Sequence, residues 1–198
     1  GTHDLDTITG PFVYDAQPPQ DISFVPLNKT EVWRSDKLLD HYLHDSHLKE
    51  YVPIIKDKPF YPVITDSKGV VLSLPPIING DHSKITLNTR NVFIELTATD
   101  KFKAQITLDT LVAMFSEYCE QPFTVEPVII EYLSGPSEQT PKLQYREQRA
   151  RVDYCNSLVG VEESAENIAK MLTSMSLTAK LEGTNTLKVL VPPTRYEF

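Results

Sequence analysis

The stretch NVFIELT (91–97) sets a carboxylate, Glu95, between Ile94 and Leu96 in a run apolar enough to be a strand. Side chains alternate along a strand, so Val92, Ile94 and Leu96 are expected buried on one face of a central strand, with Phe93, Glu95 and Thr97 on the other. In VVLSLP (70–75) the same parity puts Leu72 and Leu74 on one face and Val71 and Ser73 on the opposite one. If these two strands pair, Phe93, Glu95, Thr97 and Ser73 line one pocket with an aromatic wall, a carboxylate and two hydroxyls. Such a set can recognise a polar ligand or hold a water for general-base attack. The competing reading is an amphipathic strand whose Glu and Thr face solvent.

Other chemistry-bearing residues are less organised. His41, His44 and His47 recur every three residues on an expected helix, but they diverge around it and lack a closing ligand, so no metal site is expected. His3, in Thr2-His3-Asp4, is a candidate base with no nucleophile at a telling spacing, and His82 lies in a turn sequence. No phosphate loop, GxSxG, HExxH or CxxC is present, so an ordinary hydrolase or kinase is not indicated. Cys119 and Cys155 are expected as two buried thiols in a reducing compartment.

The elements around these residues follow from breakers and periodicity. Residues 1–34 are turn-rich and extended. Ser35 is a plausible N-cap for a helix carrying Leu38, Leu39, Tyr42 and Leu43, ending near Tyr51 before Pro53. YPVITDSKGVVLSLPP reads as a hairpin turning at Asp66-Ser67-Lys68-Gly69, followed by an extended Pro75-Pro76 corner and a turn at Asn79-Gly80-Asp81. The strongest helix carries the stripe Leu108, Leu111, Val112, Phe115, Tyr118 and Cys119. Thr124 to Leu133 reads as a strand and 135–141 as a loop. After Arg151 come a helix capped by Ser164, with Ile168, Met171, Leu172 and Met175 on one face, and the strand LKVLVPP. Strands outnumber helices without regular βαβ alternation, so the expected class is α+β, a mixed sheet layered with two or three helices (β/β/α). A boundary is expected near residue 150, giving a domain over 1–150 and an incomplete small α/β module over 151–198.

At 198 residues and 40% hydrophobic content the chain supports a real core, while a net charge of −8 argues against non-specific nucleic-acid binding by the whole surface. No apolar run approaches a membrane span and no signal-peptide pattern opens the chain. GTHDLD at the start and PPTRYEF at the end read as cuts from something longer.

Three long runs carry a family resemblance: GTHDLDTITGPFVYDAQPPQDISFVPLNKT, YPVITDSKGVVLSLPPIINGDHSKITLNTRNVFIELTATD and MFSEYCEQPFTVEPV. They resemble the beta chains of eukaryotic phenylalanine–tRNA ligases across residues 1–130, and 151–195 look like the start of the module that follows there. The resemblance implies a tRNA-editing domain that hydrolyses mischarged tyrosyl-tRNA(Phe), with the synthetic site on another chain. A site that hydrogen-bonds the tyrosine hydroxyl rejects phenylalanine strongly, because its polar groups would otherwise be left unpaired. It also implies Glu95 as the catalytic residue, either recognising the phenol or orienting water, with Ser73 and Thr97 in the substrate-binding set; Phe93 joins that set by strand parity, and Asn79, in the turn sequence, is its further candidate. Lys84, Arg90 and Lys101 are candidates for the tRNA 3′ end or are ordinary surface charges; Lys103 flanks them. Further implications are an alpha subunit in an alpha2-beta2 assembly, tRNA(Phe), a cytoplasmic setting, and ATP with Mg2+ for the whole ligase but no cofactor in this part. The alternative is a non-catalytic tRNA-positioning or protein-interaction module.

Overall fold

The computed structural model describes residues 1–196; Glu197 and Phe198, the end of the PPTRYEF sequence, lie outside them. The chain divides into two compact units, one over Gly1–Thr97 and one beginning at Ala98. Along the first run β1 (Thr2–Asp4), β2 (Val13–Gln17), β3 (Ser23–Phe24), β4 (Trp33–Arg34), α1 (Ser35–Tyr42), β5 (Tyr61–Thr65), β6 (Val71–Leu74), β7 (Ile78–Asn79) and β8 (Val92–Ile94).

Strands β2, β5, β6 and β7 form an antiparallel sheet in that order, and β1 pairs with β8 in a separate two-stranded ribbon. Neighbouring residues of β5 point to opposite faces and join different apolar clusters. Val63 packs with Leu38, Leu39 and Tyr42 of α1 and with Ile22, Val52 and Leu74. Ile64 packs with Ile8, Leu72, Phe12 and Phe93. The sheet is therefore covered by a helix on one face and by the β1–β8 side on the other, a β/β/α layering within an α+β fold. Leu38 and Leu39 are fully excluded from water, each worth about 1.5–3 kcal/mol of burial.

The β5–β6 hairpin turns where the sequence indicates. Asp66 takes backbone N–H donors from Lys68 and Val70 at 2.9 and 2.8 Å and from Thr9 at 3.1 Å, and Gly69 supplies the left-handed φ of 82°. Two local expectations change. Pro75 and Pro76 form a tight turn closed by Ile77 N–H donating to Leu74 O at 2.8 Å, not an extended corner. Asn79 lies in β7 and Gly80 continues the pairing; a Cβ at Gly80 would sit 2.4 Å from Val71 O, so the glycine permits close backbone approach where a turn was expected.

The helix beginning at Ser35 stops at Tyr42, well short of Tyr51. Ser35 is its first residue, and its hydroxyl donates to Pro19 O at 2.7 Å in place of capping. His44 and His47 lie beyond the helix, so the three-histidine face does not exist. His41 packs against Trp33 at 5.0 Å between ring centroids. Among the described residues no group of three His, Cys, Asp or Glu is arranged to hold a metal.

The second unit carries α2 (Lys101–Ser116), β9 (Val128–Ile130), β10 (Glu138–Thr140), β11 (Arg146–Arg151), α3 (Val152–Val159), α4 (Ala165–Ser174), β12 (Thr178–Leu181) and β13 (Thr186–Val191). β9 and β10 form a hairpin, and β11, β13 and β12 form a three-stranded sheet in that order. Ser164 caps α4 by accepting from Asn167 N–H at 3.2 Å. The buried line of α2 is Asp109, Val112 and Ser116 rather than the apolar stripe. The Asp109 carboxylate is satisfied there by Lys142 N–H at 3.2 Å and by the Tyr196 hydroxyl at 3.3 Å, while Phe115 and Tyr118 are exposed. In α4, Ala165 and Ala169 are buried and Met171 and Met175 face outward. Cys119 is exposed and Cys155 half-buried, so neither is the buried thiol expected.

Candidate functional site

The site is built where the β1–β8 ribbon meets the four-stranded sheet. β8 does not pair with β6; it pairs with β1, with Thr2 opposite Ile94, His3 opposite Phe93 and Asp4 opposite Val92. The ladder continues to Gly1, whose nitrogen donates to Glu95 O at 2.8 Å and whose carbonyl accepts from Glu95 N–H at 3.0 Å. The burial expected of β8 is not found: Ile94 and Leu96 are only half-buried, as are Phe93 and Glu95. Val92 is exposed, while Phe93 stacks on Phe12 at 4.4 Å between ring centroids and seals the small apolar cluster. The strand is short and two-stranded, and its Phe93 face is the one turned to the rest of the unit. Glu95, two residues on, shares that face.

Ser73 reaches the same side by a route the simple parity missed. Ile64 pairs with Ser73 but Thr65 pairs with Val71, so Leu72 is an extra residue in a β-bulge. Val71 and Leu74 consequently fall in the α1-facing cluster and Leu72 in the other. Ser73 stands opposite Ile64 and Asn79, and cross-strand partners share a face. Its hydroxyl is buried without a hydrogen-bond partner among the described residues.

Three polar atoms converge beside Gly1. A Cβ built on that glycine would lie 2.3 Å from Glu95 Oε1, 2.6 Å from His3 Nε2 and 3.1 Å from Asn79 Nδ2. The Glu95 side chain is 12% exposed; its Oε1 lies 3.3 Å from the Gly1 nitrogen and 3.5 Å from His3 Nε2. Burial pushes the Glu95 carboxyl up, and the His3 imidazole beside it pulls it down. A half-enclosed carboxylate held ionised among donors can accept a proton from water or receive a ligand's hydroxyl.

The remaining candidate residues are more dispersed. Thr97 is half-buried two residues past Glu95, beyond the paired strand. Lys84 spends its ammonium on both Asp81 oxygens at 2.9 Å. With Thr2, Asn28, Asn79 and Gly80 it lines a cavity of about 210 Å3. Arg90 is exposed and donates to Leu87 O and Thr89 O. Lys101 belongs to the second unit, 2.5 Å from Glu138 and 5.0 Å from the Tyr132 ring centre. Lys101, Lys142 and the Tyr132 hydroxyl together hold the Glu138 carboxyl down to about 2.

Gly1 and Ser83 are the site residues that sequence reasoning missed, and His3 was noticed without its partner. His3 is fully buried with Nδ1 2.8 Å from Ser83 Oγ. The only sequence signal was a histidine inside a short strand-forming start; its neighbours arrive from residues 79, 83 and 95.

The B3/4 domain family matches residues 1–120 and the tRNA synthetase B5 domain family residues 148–198. The chain is 55% identical over its whole length to the phenylalanine–tRNA ligase beta subunit of Homo sapiens. It is 50% identical over 98% of its length to that of Saccharomyces cerevisiae, and 47% identical over 98% to the cytoplasmic beta subunit of Arabidopsis thaliana. It covers 34%, 34% and 33% of those relatives, about a third of their length. An N-terminal fragment of the phenylalanyl-tRNA synthetase beta subunit from Pyrococcus horikoshii superposes with a TM-score of 0.88 at 30% identity, over all of this chain and 55% of that one.

Proposed function

This chain belongs to the B3/4 domain family and is homologous along its length to eukaryotic phenylalanine–tRNA ligase beta subunits, and from that premise we propose that its first unit carries a tRNA-editing site. The substrate class is an aminoacyl ester of tRNA(Phe) bearing tyrosine. The observation that carries the reading is the convergence of Glu95 Oε1, His3 Nε2 and Asn79 Nδ2 on one point, in a face that also holds the Ser73 hydroxyl, buried and unpartnered among the described residues.

In the proposed reaction Glu95 accepts a proton from water as the water oxygen attacks the ester carbonyl carbon. The tetrahedral intermediate collapses with breakage of the bond to the ribose oxygen. The proton passes from Glu95 to that oxygen, releasing tyrosine and free tRNA. Asn79 and the Ser73 hydroxyl supply hydrogen bonds to the ligand, Phe93 backs the face, and Thr97 borders it. Lys84 and Arg90 are the first unit's cations for the tRNA 3′ end; Lys101, already paired with Glu138, is a weaker candidate. On this reading the functional domain runs to about residue 150 and the module over 151–198 begins the next. An alpha subunit in an alpha2-beta2 assembly, tRNA(Phe), a cytoplasmic setting, and ATP with Mg2+ at the synthetic site complete the proposal.

One observation favours the non-catalytic reading: Glu95 already has internal partners in Gly1 and His3. The test is Glu95→Ala in the full ligase. Phenylalanine charging should persist, while hydrolysis of tyrosyl-tRNA(Phe) should fall by about 10²–10⁴-fold, the usual worth of general acid–base help. Equal slowing of tyrosyl and phenylalanyl esters assigns Glu95 to water; collapse of selectivity assigns it to the phenol. Unchanged hydrolysis would leave Glu95 a structural strand residue and favour a positioning module.

A further inference from the structure

We propose that His3 is a positioning residue for Glu95, its ring seated on Ser83 so that an Nε2–H is aimed at the Glu95 carboxylate. The inference rests on the editing reading above and extends it to two residues outside the expected set. A buried imidazole ordinarily has both ring nitrogens satisfied by the scaffold. Here Nδ1 has Ser83 Oγ at 2.8 Å, whereas Nε2 is buried with no hydrogen bond among the described residues and faces Glu95 Oε1 at 3.5 Å. That distance exceeds a formed N–H···O bond, and contacts of this kind commonly tighten when substrate binds.

An ionised carboxylate only accepts, so the nitrogen aimed at it carries a proton, and the Ser83 hydroxyl, which can donate or accept, serves Nδ1. The ring has little freedom to leave this arrangement. Its backbone pairs with Phe93 on one side and Lys84 on the other, Asp4 N–H donates to Ser83 O at 2.8 Å, and the Phe93 ring lies 6.3 Å away. The charged groups around it are Glu95 just past β8, the Lys84–Asp81 pair on the loop, and Asp4, which the Thr89 hydroxyl holds at 2.7 Å. Ser83 is itself fully buried, which suits a support and rules it out as the attacking nucleophile.

The experiment measures tyrosyl-tRNA(Phe) hydrolysis by the full ligase carrying His3→Leu, His3→Gln, Ser83→Ala or Glu95→Ala. His3→Leu should lower kcat by about 10–10²-fold, the scale of a misplaced catalytic group, with KM nearly unchanged. His3→Gln keeps an N–H at the same reach and should recover most of the rate, and Ser83→Ala should fall between. The acid limb of the pH profile should move to higher pH in His3→Leu, because loss of a donor to the charged form raises the Glu95 carboxyl. Should His3→Leu fail to fold, kcat and the acid limb of Ser83→Ala decide in the same way. A wild-type kcat and an unmoved limb, with Glu95→Ala inactive, would overturn the role of His3 and leave editing standing. So would His3→Gln as slow as His3→Leu. A wild-type rate in Glu95→Ala would instead overturn the editing reading itself.

Discussion

Adding one methyl group at Gly1 separates the site's geometry from the fold's stability. The Cβ of Gly1→Ala would meet Glu95 Oε1 at 2.3 Å and His3 Nε2 at 2.6 Å, where ordinary contact begins near 3.4 Å. The carboxylate must therefore retreat by about 1 Å, and the imidazole by somewhat less. The Glu95 end is a flexible side chain and the backbone ladder between Gly1 and Glu95 can persist, but the buried His3 ring seated on Ser83 yields less readily, so the unfolding free energy should drop by about 1–2 kcal/mol. Catalysis has no such tolerance. A displacement of about 1 Å at a catalytic group costs on the order of 10²-fold, equivalent to about 2.7 kcal/mol of transition-state stabilisation. The assay is single-turnover deacylation of tyrosyl-tRNA(Phe) by the full ligase, with phenylalanine charging as internal control and urea unfolding alongside. Wild-type deacylation would refute the reasoning, since the group said to act there would then have moved without consequence. A stability loss above about 2 kcal/mol would refute it differently, by showing that the neighbours cannot yield.

Three further outcomes follow from the scaffold. Gly80→Ala forces a Cβ against the Val71 carbonyl at 2.4 Å, and because backbone cannot swing aside, urea unfolding should show a loss of about 2–3 kcal/mol. Asp66→Ala strands three backbone N–H groups and should cost about 2–4 kcal/mol by the same measurement. Burial pushes the Asp66 carboxyl up, but those N–H bonds more than offset it and leave it low. Its stabilisation is thus present above the unfolded-state pKa and lost as pH falls through the lower folded value, and the wild-type advantage over Asp66→Asn should shrink across that acid window. Metal analysis of the purified chain should find no stoichiometric zinc, because His44 and His47 lie outside the helix that carries His41.

What could be read from the sequence was local, and what could not was carried by distant pairing. The Asp66–Gly69 turn, the two strands it joins and the Ser164 cap are written in contiguous residues, where turn chemistry and capping act within a few positions. The orientation of β8 was not, because it is set by β1, and an isolated alternation pattern does not say which face has a partner. One bulge residue, Leu72, was enough to break the parity between Val71 and Leu74. Glu95 stood out as a charge in an apolar run, whereas Ser83 looked like any turn serine until His3 was seen to sit on it. In α2 the apolar stripe misled because a buried carboxylate, Asp109, found an amide and a hydroxyl to satisfy it.

The ribbon that joins β1 to β8 also sets when the site comes into being. Gly1 and Glu95 are 94 positions apart, so closing that loop costs about 4 kcal/mol in chain entropy on a logarithmic scaling, before any constant. During synthesis at about 5–20 residues per second, His3 leaves the ribosome several seconds before the strand that completes its surroundings. The four-stranded sheet and α1 draw on neither β1 nor β8 for their pairing, so they can consolidate first. The ribbon is then the closing step of this unit's folding. It is also the segment whose amides, those of Asp4 and Glu95 among them, should exchange with solvent through the smallest opening.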